Sequence, residues 1–169
     1  MKRKTWTEFR ENIEKTINEF DLSDKLKSIN ITQIESINRK FMLSFVKGRK
    51  QSADFYGWIW ECLKDENQWG KHSPDYKKTS EIIRYTAGNT DEDLYIIFTE
   101  TYREREKFWY YEGKADAMIT IINETSGIDE FYIFDKKFIW LIGQNHHDVI
   151  FASGSAKTER LKKAFEIYG

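Results

Sequence analysis

The chain has 169 residues and carries 27 Lys and Arg against 28 Asp and Glu, a formal net charge of −1. That length fits one domain, residues 1–169, and balanced charge supplies no long-range field to draw it to nucleic acid or an anionic membrane. Aromatic residues make up 16% of the chain, and each ring buries roughly 150–250 Å², so a large core is possible without many leucines.

The first predicted helix runs from Trp6 to Phe20, because Trp6, Phe9, Ile13, Ile17 and Phe20 recur every three or four residues. Thr5 and Glu8 have capping-box spacing at its start. Thr32 and Glu35 repeat that spacing before a second stripe of Ile34, Ile37, Phe41 and Phe45. Residues 54–64 fit two readings, a helix through Phe55, Ile59, Cys62 and Leu63 or a strand through Trp58-Ile59-Trp60. From Asn67 to Asn89 turn signals dominate, with a short apolar stretch at Ile82-Ile83.

The second half reads as strands. Leu94–Thr99 and Phe108–Tyr111 form a hairpin across the charged connection Arg103–Lys107, where Glu104 and Glu106 read as a solvated tip. A helix follows at 114–125, stopped by Gly127. Strands at 131–134, 138–142 and 149–152 have connections too short for crossovers, so they pair antiparallel. In the middle one, Phe138, Trp140 and Ile142 would share a face, with Trp140 under a helix. Ser155 caps a last helix at 156–168, striped by Leu161, Ala164, Phe165 and Tyr168. The expected fold is therefore α+β, a mainly antiparallel sheet of about five strands with N-terminal helices, one inserted helix and a C-terminal helix. Strands without polar alternation imply that both sheet faces are covered, the N-terminal helices on one and the later two on the other.

The N-terminus lacks the apolar run of a signal peptide, and no window reaches the ~18 apolar residues of a membrane span. Cys62 is the single cysteine, so no intramolecular disulfide forms. These features predict a soluble, cytoplasmic protein that binds neither nucleic acid nor membrane. Among residue clusters with chemical potential, Gln144-Asn145-His146-His147-Asp148 stands out. Imidazole and carboxylate suit a transition metal, but adjacent histidines point apart. A hairpin turn whose side chains bond their own backbone is the simpler expectation, with Asp148 held by nearby backbone or by His146. The chain lacks a phosphate loop and a Gly-x-Ser-x-Gly nucleophile elbow, and no cofactor is implied. The remaining signal is aromatic: Trp58, Trp60 and Trp69 lie close together in sequence beside Tyr56 and Tyr76. Rings left at the surface would mark a protein interface.

The segments Trp109-Tyr110-Tyr111-Glu112-Gly113, Glu130-Phe131-Tyr132-Ile133, Lys136-Lys137, Trp140-Leu141 and Asn145-His146-His147-Asp148 resemble a small bacterial family of unknown function. Trp60-Glu61 and Leu63-Lys64 are similar to its middle segment. The resemblance covers about half to two thirds of the chain and implies a bacterial origin, without assigning a catalytic residue. The layout of helices followed by a sheet also loosely resembles immunity proteins of toxin systems. Two readings stand. One is a non-enzymatic, immunity- or antitoxin-like protein-binding domain using Trp58, Trp60 and Trp69. The other is a metal-dependent hydrolase centred on His146, His147 and Asp148.

Overall fold

A computed structural model describes residues 6–47, 58–64, 68–88, 91–103 and 105–169. Helix α1, Glu8–Glu19, buries Phe9, Ile13 and Ile17 as the stripe requires, while Trp6 and Phe20 lie exposed beyond its ends. Its cap is Thr7, whose hydroxyl oxygen accepts from the Arg10 amide; Thr5 lies outside the described residues. A three-residue strand, β1, Leu26–Ser28, leads to α2, Ile31–Phe45. Here Asn30, not Thr32, is the cap, and Ile37, Phe41, Met42 and Phe45 are buried.

Residues 59–62 are neither the α-helix nor the strand that their pattern suggested. They form one 3-10 turn, Ile59–Cys62, tied to the end of α2 by a bridge between Val46 and Leu63; Phe55 and Tyr56 lie outside the described residues. Strand β2, Gln68–His72, and helix α3, Tyr76–Ala87, occupy the stretch dominated by turn signals. Strands β3, Leu94–Tyr102, and β4, Arg105–Gly113, form the expected hairpin at greater length. Then come α4, Ala115–Glu124, β5, Glu130–Phe134, β6, Leu141–Gln144, β7, Val149–Ser153, and α5, Ser155–Tyr168. Ser155 is thus the first helical residue and not the cap; Gly154 occupies the cap position at φ 93°, with no side-chain cap.

The described strands form one antiparallel sheet of seven in the order β1-β4-β3-β5-β6-β7-β2. The two strands beyond the expected five are its edges. One face carries the cross-strand row Ile96, Ile133, Ile142 and Ala152, covered by α1 and α4 over β3–β5 and by α3 and α5 over β6–β7. The other carries Ile97, Tyr132, Leu141 and Phe151 beneath α2 and the 59–62 turn. The N-terminal helices therefore divide between the faces instead of sharing one. Both faces are covered, as the apolar β5 implied, all five of its residues being buried.

Strand β6 starts three residues later than its apolar run suggested. The Asp135 carboxylate accepts from the amides of Lys137, Ile139 and Trp140 at 3.2, 2.7 and 3.1 Å, curling the chain into a turn. Phe138 adopts φ 57° within it and Ile139 is exposed. Trp140 is only partly buried, with the Lys157 ammonium of α5 4.2 Å from its ring centroid.

Candidate functional site

At one end of the sheet the β6–β7 connection folds around Asn145. This side chain is 3% exposed, and its Oδ1 accepts from the amides of His147 and Val149, each at 3.0 Å. The Asp148 amide bonds the Asn145 carbonyl at 3.0 Å, and Asp148 takes φ 58°. Two amides are thus satisfied by an Asx-type turn, as expected of the hairpin reading. The residue that does it is Asn145, however; the Asp148 carboxylate accepts from the Gln144 side-chain amide at 3.2 Å.

The turn presents His146 to a buried partner. Its Nδ1 lies 2.8 Å from Oε1 of Glu130, a side chain with no solvent exposure at the start of β5, whereas the imidazole is 27% exposed. The Tyr132 hydroxyl donates to the other carboxylate oxygen. Burial pushes the Glu130 carboxyl up, and the bonds from Tyr132 and His146 oppose that shift. Burial likewise raises the Tyr132 phenol, beside the Glu130 charge. A carboxylate, a phenol and an imidazole therefore satisfy one another under the turn.

Four rings gather above this network. Trp58 and His147 each stand 4.1 Å, centroid to centroid, from the His146 ring. Trp60 meets His147 edge-on at 5.6 Å and 87°, and lies 6.1 Å from His146. All four are at least partly open to solvent. Beside them runs a groove of about 720 Å³ whose lining includes Trp60, Gly70, His72, His147 and Phe151. The third tryptophan of the sequence-predicted patch, Trp69, also lines this groove, but its ring turns to the opposite face, packed against Phe165 of α5 at 5.6 Å. Tyr76 is exposed on α3.

His146 and His147 do not point apart as their adjacency suggested, their rings standing 4.1 Å from one another, but Asp148 does not join them: it sits with Gln144, and His146 uses Nδ1 on Glu130. Among the described residues no three His, Cys, Asp or Glu side chains are grouped to hold a metal ion. Cys62 is buried in the core beneath α2.

Glu106 is the site residue that sequence reasoning misplaced. It is not at a solvated tip, because β4 extends past it and turns its side chain onto the face of Glu130, opposite Thr101. Its carboxyl is pushed up to about 8, first by burial and then by the charges of Glu130 and Asp129. The alternation Glu106, Phe108, Tyr110 on one face was the available signal, masked by the charges around it.

A model of a family of unknown function (DUF6756) matches residues 5–165. The chain belongs to this family. DUF6756 takes in every described element from α1 to most of α5, well beyond the segments that carried the resemblance. No curated protein and no solved structure matches the chain. No helix among the described residues is long and apolar enough to cross a membrane.

Proposed function

We propose that the protein is a non-enzymatic, cytoplasmic binding domain that recognises another protein in the manner of an immunity or antitoxin partner. Its contact surface is formed by Trp58, Trp60, His146 and His147. The observation that carries this reading is the ring cluster itself, four aromatic groups held partly open to solvent, of which His146 is bonded through Nδ1 to a fully buried carboxylate. Rings on exposed loops adapt to many environments; these are oriented beforehand, because His146 is fixed by Glu130 and its neighbours stack on it. Pre-ordered aromatic side chains lose little entropy on association and serve as interface anchors. The adjoining groove accepts a projecting side chain of the partner.

A photo-crosslinking amino acid placed at Glu61 or at His72, both exposed beside the rings, tests this in the protein's own cells. The same discrete adduct is expected from both positions and none from Lys163, exposed on α5. Trp58→Ala should abolish it, since loss of an anchor typically weakens binding by about 2 kcal/mol or more, some 30-fold. Equal labelling from all three positions, or none from any, would overturn the proposal.

A further inference from the structure

Strand β2 ends the sheet, and no strand among the described residues pairs with its outer side. The ladder fixes which of its backbone groups face outward. The Ser73 amide donates to the Asp148 carbonyl at 2.8 Å, continuing the register that sets His72 opposite Val149 and Gly70 opposite Phe151. Hydrogen bonding alternates along an antiparallel pair, so Trp69 and Lys71 also bond β7. Gln68, Gly70 and His72 then turn their N–H and C=O groups away from it. The other side of β7 agrees, since Val149 gives its carbonyl to the Asn145 amide of the β6–β7 hairpin. Along β2 the donors and acceptors of Gln68, Gly70 and His72 are thus left on a free edge.

Exposed edges are normally guarded by charge, proline or a bulge. Strand β2 contains no proline and pairs with β7 without a bulge. Its one charged side chain, Lys71, lies back over the opposite face, the ammonium 5.4 Å from the Phe165 ring centroid. Gly70 shapes what can lie beside this edge. Together with Gln68 and His72 it lines the groove of about 720 Å³ that runs past Trp60 and His147. The Phe151 ring, on the strand next to Gly70, leans away from it: a Cβ on Gly143 would lie 2.5 Å from the ring tip, whereas one on Gly70 would meet the Phe151 Cβ, at 3.0 Å. Gly70 stays exposed, and the groove is open there.

We propose that the partner protein adds an antiparallel strand to the free edge of β2, seating a large apolar side chain opposite Gly70 in the groove. This rests on the protein-binding reading above and gives its mode. Main-chain bonds hold such a strand, and pockets for alternate side chains select it. A bulky residue across from an edge glycine covers bare backbone. The residue before it in the added strand stands directly opposite Lys71, where an acid complements the ammonium. A second copy of the chain fits less well. The two-fold register that uses all the outward groups pairs Gln68 with His72 and sets Gly70 against Gly70, which leaves the groove unfilled.

The probe is a short capped, threonine-rich peptide with glutamate followed by tryptophan at its centre, titrated to millimolar concentration into isotope-labelled protein. The amide resonances of Gln68, Gly70 and His72 should move more than those of Trp69 and Lys71. Alanine in place of the peptide's tryptophan should weaken binding about tenfold, and N-methylation of the peptide amides that face β2 should abolish it. Gln68→Pro removes an outward N–H without touching the β7 ladder, so it should weaken binding where Gln68→Ala has little effect. No response, or one indifferent to N-methylation, would overturn the proposal. So would protection of the outward amides from hydrogen exchange in the free monomer, the edge then being held by another segment of this chain. A dimer whose formation moves these same amides would overturn it too, with a second copy as the occupant. In cells, a Glu61 adduct that survives Gln68→Pro overturns the added strand alone; peptide binding without any adduct upholds the edge as a strand site and removes the ring surface as a contact.

Discussion

Glu106 shows how much one side chain's surroundings decide. On composition it is one of many surface carboxylates; in the fold it is half-buried beside two other acids, and its carboxyl rises from the usual 4.5 to about 8. Between those values the folded protein holds a proton that the unfolded chain has released. The Glu106 contribution to stability is therefore full below pH 4.5, falls as pH rises to about 8, and is flat beyond. In Glu106→Gln this loss is absent. Thermal melts should show the variant gaining on the wild type from pH 5 to 8, with the two curves converging below pH 4.5. A difference in Tm that does not grow with pH would show that this carboxyl is solvated. Asn145 gives a second residue-scale expectation. Asn145→Ala leaves two amides of the turn without their acceptor, a loss of about 1–3 kcal/mol for each that stays buried. Denaturant melts should register it, while Asp148→Asn, which keeps a residue suited to φ 58° and alters one exposed contact at 3.2 Å, should stay within about 0.5 kcal/mol.

At the scale of elements, the legible ones were those whose buried side is apolar. The stripe of α2 and the unbroken β5 announce themselves. Helix α3 did not, because its buried face includes Thr79, Ser80, Thr86 and Ala87 beside Ile82 and Ile83, too thin a stripe to stand out. Strand β2 is a polar edge, Gln68-Trp69-Gly70-Lys71-His72, with three of five residues exposed, so period-2 alternation had nothing to mark. The start of β6 was misread for a different reason: Phe138 and Ile139 look like strand, but the Asp135 carboxylate gathers the amides that a ladder would need. Within β6, Gly143 is required by the packing of its neighbour. A Cβ there would lie 2.5 Å from the Phe151 ring and 2.7 Å from the Phe131 carbonyl oxygen. Gly143→Ala should therefore destabilise by about 1–3 kcal/mol. Adding Phe151→Leu should recover only part of the loss, since the carbonyl contact stays; full additivity of the two losses in denaturant melts would mean that the ring is not what Gly143 accommodates.

For the molecule as a whole, the α+β class and the antiparallel sheet were legible, but the allocation of helices to faces was not. Alternation says which residues of a strand share a side, and nothing local says which helix covers that side. The result is a sheet with a core on each surface, α1, α3, α4 and α5 over one and α2 with the 59–62 turn over the other. The same strands supply both cores: Ile96 and Ile97 are consecutive on β3, as are Tyr132 and Ile133 on β5, and they face opposite ways. Neither core can melt while the central strands remain as they are, so unfolding should be one cooperative step. The tryptophans report on this directly, because Trp109 and Trp140 pack against one core and Trp60 against the other. Fluorescence of variants retaining only Trp140 or only Trp60 should give the same denaturation midpoint as far-UV circular dichroism. If the Trp60 signal moves at lower denaturant than the other two, the α2 face opens on its own, and the proposed contact surface lies on a part of the fold that loosens before the sheet does.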